Sequence, residues 1–442
     1  MKRLLATLLQ RWQLGPAGTA ELETFARRNG TPFYLYSGPL IERQVAALRA
    51  ELPAGLALLY AVKANPDPAV VARVAPLVEG CDVTSAAEIA LAHAAGVAGE
   101  ALSVAGPGKS DADLAAAIGA NALVVVESLD EARRLATLAG GRGRPRVALR
   151  INPPFGLAAD ARMGGGPRKF GVDSELAPAV LAELGRLPLA FEGFHVYAGS
   201  RCLDVLAIAD AQRATLQLAC ALAPFAPAPL RLLNLGGGLG IPCFPGEAPL
   251  DLAAFGDALR GLARDAARSL PGARLTLELG RYLVGEAGLY LTRVIERKES
   301  RGRVFLIVDG GAHHHWHATG ALEGRRHLHF PLAVVGGAGR AVERVTLCGP
   351  LCAPHDTWAE DIVLPVAAPG DLVAVFQSGA YGASASPQGF LGRPPAAERL
   401  AEWPPSVVDS APTCSPRRPP ARRAPAGGET HSHPPEQETE HA

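Results

Sequence analysis

The chain is poor in lysine. Of its 442 residues only five are lysines (Lys2, Lys63, Lys109, Lys169 and Lys298), against 38 arginines. Arginine cannot stand in where an amine must shed its proton, because guanidinium stays charged. A lysine behind an apolar strand is therefore worth attention. Net charge is lacking too: 43 basic side chains face 43 acidic ones. That argues against a nucleic-acid partner, since phosphate affinity needs a basic field. No run of eighteen apolar residues is free of charges or breakers, so no membrane span is predicted. The opening MKRLLATLLQRWQLGP puts charge before a short apolar run, but Arg11 and Trp12 interrupt it and no A-x-A site follows. It reads as a short amphipathic helix, not a signal peptide. The seven cysteines are odd in number and form no C-x-x-C pair. Neither a disulfide framework nor a zinc ribbon is expected, which suits a reducing cytoplasm.

What is present is apolar residue, 48% of the chain, enough for a large core and incompatible with global disorder. The length suits two or three domains, or one large barrel with a smaller domain. Eight short apolar runs recur: 56–62, 81–83, 102–106, 122–127, 146–151, 191–197, 230–235 and 274–279. Ala/Leu-rich stretches of helical spacing, such as SAAEIALAHAAG and SLDEARRLATLAG, separate most of them. Ser85 with Glu88, and Ser128 with Glu131, fit capping boxes at helix starts. Strand–helix alternation predicts parallel strands with crossover helices. Eight units in this length predict a closed (β/α)8 barrel, which typically takes ~250 residues; a doubly wound open sheet is the alternative. After residue 283 the texture turns β-rich. The expected organisation is an N-terminal helical segment (1–30), a strand (31–37) that joins the β domain, a barrel (38–282), a β domain (283–402) and a disordered Pro/Arg-rich tail (403–442).

Barrels carry function at the C-terminal ends of their strands. That filter selects Lys63, Asp82, the 152–171 loop, His195, Tyr197, the glycines after LLNL, and Glu278 with Arg281. Lys63 ends the strand in YAVKAN; it either snorkels to water or is an amine freed for Schiff-base chemistry. Gly236, Gly237, Gly238 and Gly240 form either a plain turn or a backbone cradle for a phosphate. Glu278, Gly280 and Arg281 are either a surface pair or a carboxylate for a ring nitrogen beside a cation for an anion. His195 and Tyr197, two apart on a strand, face one side and serve either a ligand or the core. The run His313, His314, His315, Trp316, His317 invites a metal reading, but no carboxylate-rich shell accompanies it, and no metal is expected. Cys352 and Asp356 lie in a loop after a strand.

Together YAVKAN, DVTSAAE, KFGV (169–172), GGG, E-x-GR, VDGG, GPLC-x-x-x-D and GAYGAS occur in an order that resembles the fold-type III pyridoxal-phosphate decarboxylases, the diaminopimelate, ornithine and arginine decarboxylase group. The resemblance runs from about 31 to 395. Within the group, MGGGP, GGGLGIPCFPG, LELGRYLVGEAG, DGGAHHH and FQSGAYGASASPQGFL are similar to the subgroup associated with exosortase and exopolysaccharide gene clusters. The resemblance implies an alanine racemase-like barrel, a pyridoxal 5'-phosphate (PLP) cofactor, and release of CO2 from the α-carbon of an amino acid or amino-acid-like metabolite. It implies that Lys63 holds the cofactor as a Schiff base and that Glu278 pairs with the ring nitrogen. Gly236, Gly237, Gly238, Gly280, Ser200, Arg281 and Tyr381 would bind the cofactor. His195 or Tyr197 would cover the ring face. Cys352 would protonate the product carbon, coming from the partner copy of a homodimer, with Asp356 and Arg281 lining the substrate site. Diaminopimelate decarboxylases usually follow that cysteine with a glutamate; here Ala353 follows, so diaminopimelate is not the expected substrate. An amino-acid racemase on the same barrel, a non-catalytic PLP-binding relative and a partner subunit in polysaccharide export machinery are the rivals.

Overall fold

In the computed structural model, residues 2–141, 143–157, 161–320 and 328–403 are described. Eight parallel strands close into a ring: Ala57–Ala61, Gly80–Val83, Leu102–Val104, Leu123–Val126, Arg146–Asn152, Ala190–Val196, Leu232–Asn234 and Arg274–Leu279. Each pairs with the next, and the last returns to the first through Thr276 opposite Ala57 and Leu279 opposite Tyr60. A short strand, Val172–Asp173, adds to the end of the fifth. The protein is thus a TIM barrel with a β-rich sheet, and each apolar run read from the sequence is one barrel strand. The ring closes because short, fully buried runs such as ALLYA and LVVV leave no face for water.

Crossover helices begin where the sequence supplies caps. Ser85 accepts from Glu88 N–H and Ser128 from Glu131 N–H. The reciprocal halves of those two expected boxes do not form, because each glutamate turns elsewhere. Glu88 takes Thr84 N–H at 2.6 Å, and Glu131 takes the Lys109 ammonium at 2.5 Å. A full capping box forms instead at Ser110 and Asp113.

The second sheet is built from Gly288–Ser300, Arg303–Val308, Leu332–Val334, Val342–Cys348, Thr357–Pro365 and Leu372–Val375. Phe33–Ser37 runs antiparallel to Gly288–Ser300, with Phe33 opposite Leu291. Ala397–Ala401 lies parallel on its other side. The N-terminal helix Lys2–Arg11 buries Leu8. Trp403, read as the first residue of the tail, is instead buried, with Nε1 donating to the Trp12 carbonyl at 3.2 Å. The rest of that expected tail, 404–442, lies outside the described residues. Among the described residues no helix is long and apolar enough to cross a membrane.

Candidate active site

Lys63 sits in a single turn, Val62–Ala64, immediately beyond the first barrel strand. Its Nζ lies 3.1 Å from Oδ2 of Asp82, near the end of the second strand. The register Ala61 opposite Asp82 makes them neighbours. Asp82 is the main cause holding the Lys63 amine well above its ordinary pKa, helped by Tyr381, Tyr197 and Glu278 and opposed by burial. The Asp82 carboxyl is itself pushed up, by burial first and then by the Glu278 charge.

The sixth, seventh and eighth strands bring together His195, Asn234 and Glu278. His195 is opposite Asn234, and Asn234 is opposite Thr276, two residues before Glu278. His195 Nε2 lies 3.1 Å from both Glu278 oxygens, and Asn234 Nδ2 donates to Oε1 at 2.5 Å. Burial, the largest single influence, works to raise the Glu278 pKa, but the His195 contact together with the Lys63 and Arg150 charges holds the carboxyl low. Tyr197, half-buried, is hydrogen-bonded to Ser200. Its phenol is pushed up to about 12 by burial and then by Tyr381, with the Lys63 charge opposing.

The glycine loop fills the space behind these groups. Gly236 has φ +68, a region L side chains avoid. A Cβ at Gly237 would lie 1.9 Å from the Glu278 carbonyl oxygen, and one at Gly280 would lie 2.6 Å from Ala64 Cβ. The buried Arg281 guanidinium lies 4.7 Å above the Tyr381 ring. Tyr381 comes from the second sheet's last loop, which docks on the barrel mouth: its N–H donates to the Ala64 carbonyl at 2.7 Å, and Asn65 Nδ2 donates to Gly379 at 2.9 Å.

Lys63, His195, Tyr197, Ser200, the glycines, Glu278, Gly280, Arg281 and Tyr381 therefore share one barrel mouth. Cys352 and Asp356 lie in the loop between the strands Val342–Cys348 and Thr357–Pro365, and among the described residues no hydrogen bond or ion pair links either to Lys63. Cys352 is an exposed free thiol. Asp356 is buried and anchors that loop, accepting from Ala312 N–H at 2.6 Å and Leu351 N–H at 2.7 Å. The histidine run folds as a buried turn and a short 3-10 helix, Trp316–Thr319. His314 reaches the Tyr290 hydroxyl at 3.1 Å and the Pro394 carbonyl at 2.9 Å, while His317 lies 3.2 Å from the Arg281 guanidinium. Among the described residues no metal-binding group is gathered.

Sequence reasoning gave no role to Asn234, although it is the polar residue before the glycines in LLNL. It also passed over a buried charge chain at the mouth. Lys109 Nζ meets Glu131 at 2.5 Å, and Arg150 meets Glu127 at 2.7 Å. Glu127 also takes Gly106 N–H at 2.8 Å and Gly171 N–H at 3.0 Å. Lys109, which follows Gly106, Pro107 and Gly108 in the sequence, has a side chain only 1% exposed.

The residues fit the cofactor the motifs imply. A lysine amine for a carbonyl, a carboxylate for a ring nitrogen, and an arginine with close-passing glycines for a phosphate meet in one place. Asp82 Oδ1 and His195 Nδ1 are buried there without hydrogen-bond partners among the described residues.

Comparison with known proteins points the same way. Residues 39–285 match the family model described as pyridoxal-dependent decarboxylase, pyridoxal binding domain. The chain is 36% identical over 391 residues to an L-glutamyl-[BtrI acyl-carrier protein] decarboxylase of Niallia circulans, covering 86% of this chain and 91% of that one. It is 35% identical over 382 residues to a diaminopimelate decarboxylase of Deinococcus radiodurans, covering 86% and 92%. Among solved structures, diaminopimelate decarboxylase of Helicobacter pylori complexed with L-lysine superposes with TM-score 0.77 at 26% identity, covering 86% and 94%. An SrLDC mutant in complex with PLP gives 0.75 at 27%, covering 88% and 95%.

Proposed function

The chain belongs to the pyridoxal-dependent decarboxylases and is a PLP-dependent carboxy-lyase; from that premise we propose that it removes the α-carboxylate of an amino acid held on a larger carrier. The observation that carries the site assignment is the Lys63 amine beside Asp82, in the same mouth as the ionised Glu278. Two features support the carrier. Ala353 and Pro354 follow Cys352, leaving no carboxylate there to hold a distal amine. The Niallia relative, by its name, acts on a carrier-bound glutamyl group.

In this reading Lys63 holds the cofactor's aldehyde and Glu278 faces its ring nitrogen. Gly236, Gly237, Gly238, Gly280, Ser200, Arg281 and Tyr381 bind the cofactor, with Arg281 also meeting the substrate. When bound, the protonated ring supplies an electron sink for the pair left by departing CO2. His195 and Tyr197 are the two side chains available for its face. Cys352 donates the proton that replaces the carboxylate, and it comes from a second copy of the chain, which fits its exposure. Asp356 shapes the Cys352 loop. The reading extends to cytoplasmic work, supported by the cysteine usage, and to the exosortase- and exopolysaccharide-associated subgroup, supported by motifs such as MGGGP and DGGAHHH.

The test is CO2 release by PLP-loaded protein from free amino acids and from aminoacyl thioesters of a carrier, with Lys63→Ala as control. The expected result is release from a thioester and none from the control. Efficient lysine formation from free meso-diaminopimelate would overturn the substrate reading.

A further inference from the structure

We infer that His195 serves Glu278 rather than the ring face: its Nε2 proton is donated to that carboxylate and keeps the cofactor's ring nitrogen protonated. The inference rests on the reading of Glu278 as the ring-nitrogen partner and adds a positioning residue to it.

The argument is geometric. An ionised carboxylate only accepts hydrogen bonds. His195 Nε2, 3.1 Å from both Glu278 oxygens, must therefore carry its proton, which fixes the tautomer. The second donor is fixed as well. Asn234 Oδ1 accepts from Gly236 N–H at 2.9 Å, so its amide nitrogen is the end that faces Glu278. The His195 and Glu278 side chains are each 2% exposed, so little water screens the contact. A carboxylate that already receives two donors binds a further proton weakly. A pyridinium N–H meeting it keeps its proton instead of surrendering it.

Stacking asks something different of a side chain, namely a flat face turned to the cofactor. The His195 edge is committed to Glu278. Tyr197 lies one residue past the end of that strand with its ring against the glycine loop, where a Cβ at Gly236 would come within 3.0 Å of it, and its phenol is within the fields of Lys63 and Tyr381. The ring face is left to Tyr197.

Two substitutions separate the roles. His195→Phe keeps a flat ring and loses the donor. His195→Gln keeps an N–H at similar reach and loses the ring. Full-length protein is loaded with PLP labelled with 15N in the ring, and the nitrogen resonance is read with CO2 release. The expected result for His195→Phe is a resonance moved toward deprotonated pyridine and kcat lower by on the order of 10- to 100-fold, the size of loss seen when a hydrogen-bonding partner of a metal ligand is removed, with KM little changed. His195→Gln keeps the protonated resonance and most of the rate. The inference is overturned if His195→Phe keeps the protonated resonance, whatever its rate, or if His195→Gln loses it. A wild-type resonance already in the deprotonated range, and unmoved in Glu278→Gln, would overturn the underlying reading of Glu278 instead.

Discussion

Lys63 and Asp82 face each other across 3.1 Å, so the protein without cofactor holds the amine as an ammonium ion. Schiff-base formation needs the neutral amine. Because the Lys63 pKa is raised, chiefly by Asp82, the neutral fraction at neutral pH is small and grows about tenfold per pH unit. Cofactor uptake by apoprotein is therefore expected to quicken as pH rises from 7 to 9. Asp82→Asn removes the main cause of the shift and is expected to raise the rate at pH 7; stopped-flow absorbance measures both. At this scale the sequence is most legible where one residue type is scarce and its chemistry irreplaceable. Lys63 stands out among five lysines, and strand-end position adds Asp82, His195 and Glu278. Asn234 and the pairing of His195 with Glu278 were not legible. They depend on registers that pair residues 39 and 42 apart in sequence, which no local pattern encodes.

Among elements, the barrel strands were legible because fully buried strands must be apolar along their whole length. Caps were half legible. Serine sets the starts of the helices Ala86–Ala94 and Leu129–Ala139, but the glutamate three residues on is claimed by whichever donor the tertiary fold brings near. Glu131 shows this: it turns from its own cap to Lys109, whose Nζ also donates to the Gly106 and Val125 carbonyls at 2.7 and 2.8 Å. Lys109 in its loop thus ties the ends of the third and fourth barrel strands to the helix Leu129–Ala139. Removing one member of a buried pair leaves the other charge uncompensated, which costs about 3–5 kcal/mol. Lys109→Met is expected to destabilise by that amount in denaturant unfolding, and Lys109→Met with Glu131→Leu by much less. Equal loss in both would show that the pair itself contributes nothing.

Across the whole molecule, the second sheet completes the barrel mouth through the loop that carries Tyr381 and Gly379. Texture alone separated a β-rich part from the barrel. It could not show that Phe33–Ser37 would be clasped between Gly288–Ser300 and Ala397–Ala401, although the strand itself was readable. Nor could it show that the histidine run would be buried, with His317 set against Arg281. The exposed Cys352, in a loop held by Asp356, suits a group supplied to another copy's site. We propose a decarboxylase whose site joins Lys63 of one copy to Cys352 of the next. The most direct measurement is CO2 release from mixed Lys63→Ala and Cys352→Ala chains, with the substrate found for the wild type. Each variant alone is expected to be inactive. The mixture is expected to recover about a quarter of wild-type activity, since random pairing gives half mixed dimers with one complete site of two. Activity in Lys63→Ala alone, or no recovery in dimers shown to have exchanged chains, would rule out a site shared in this way.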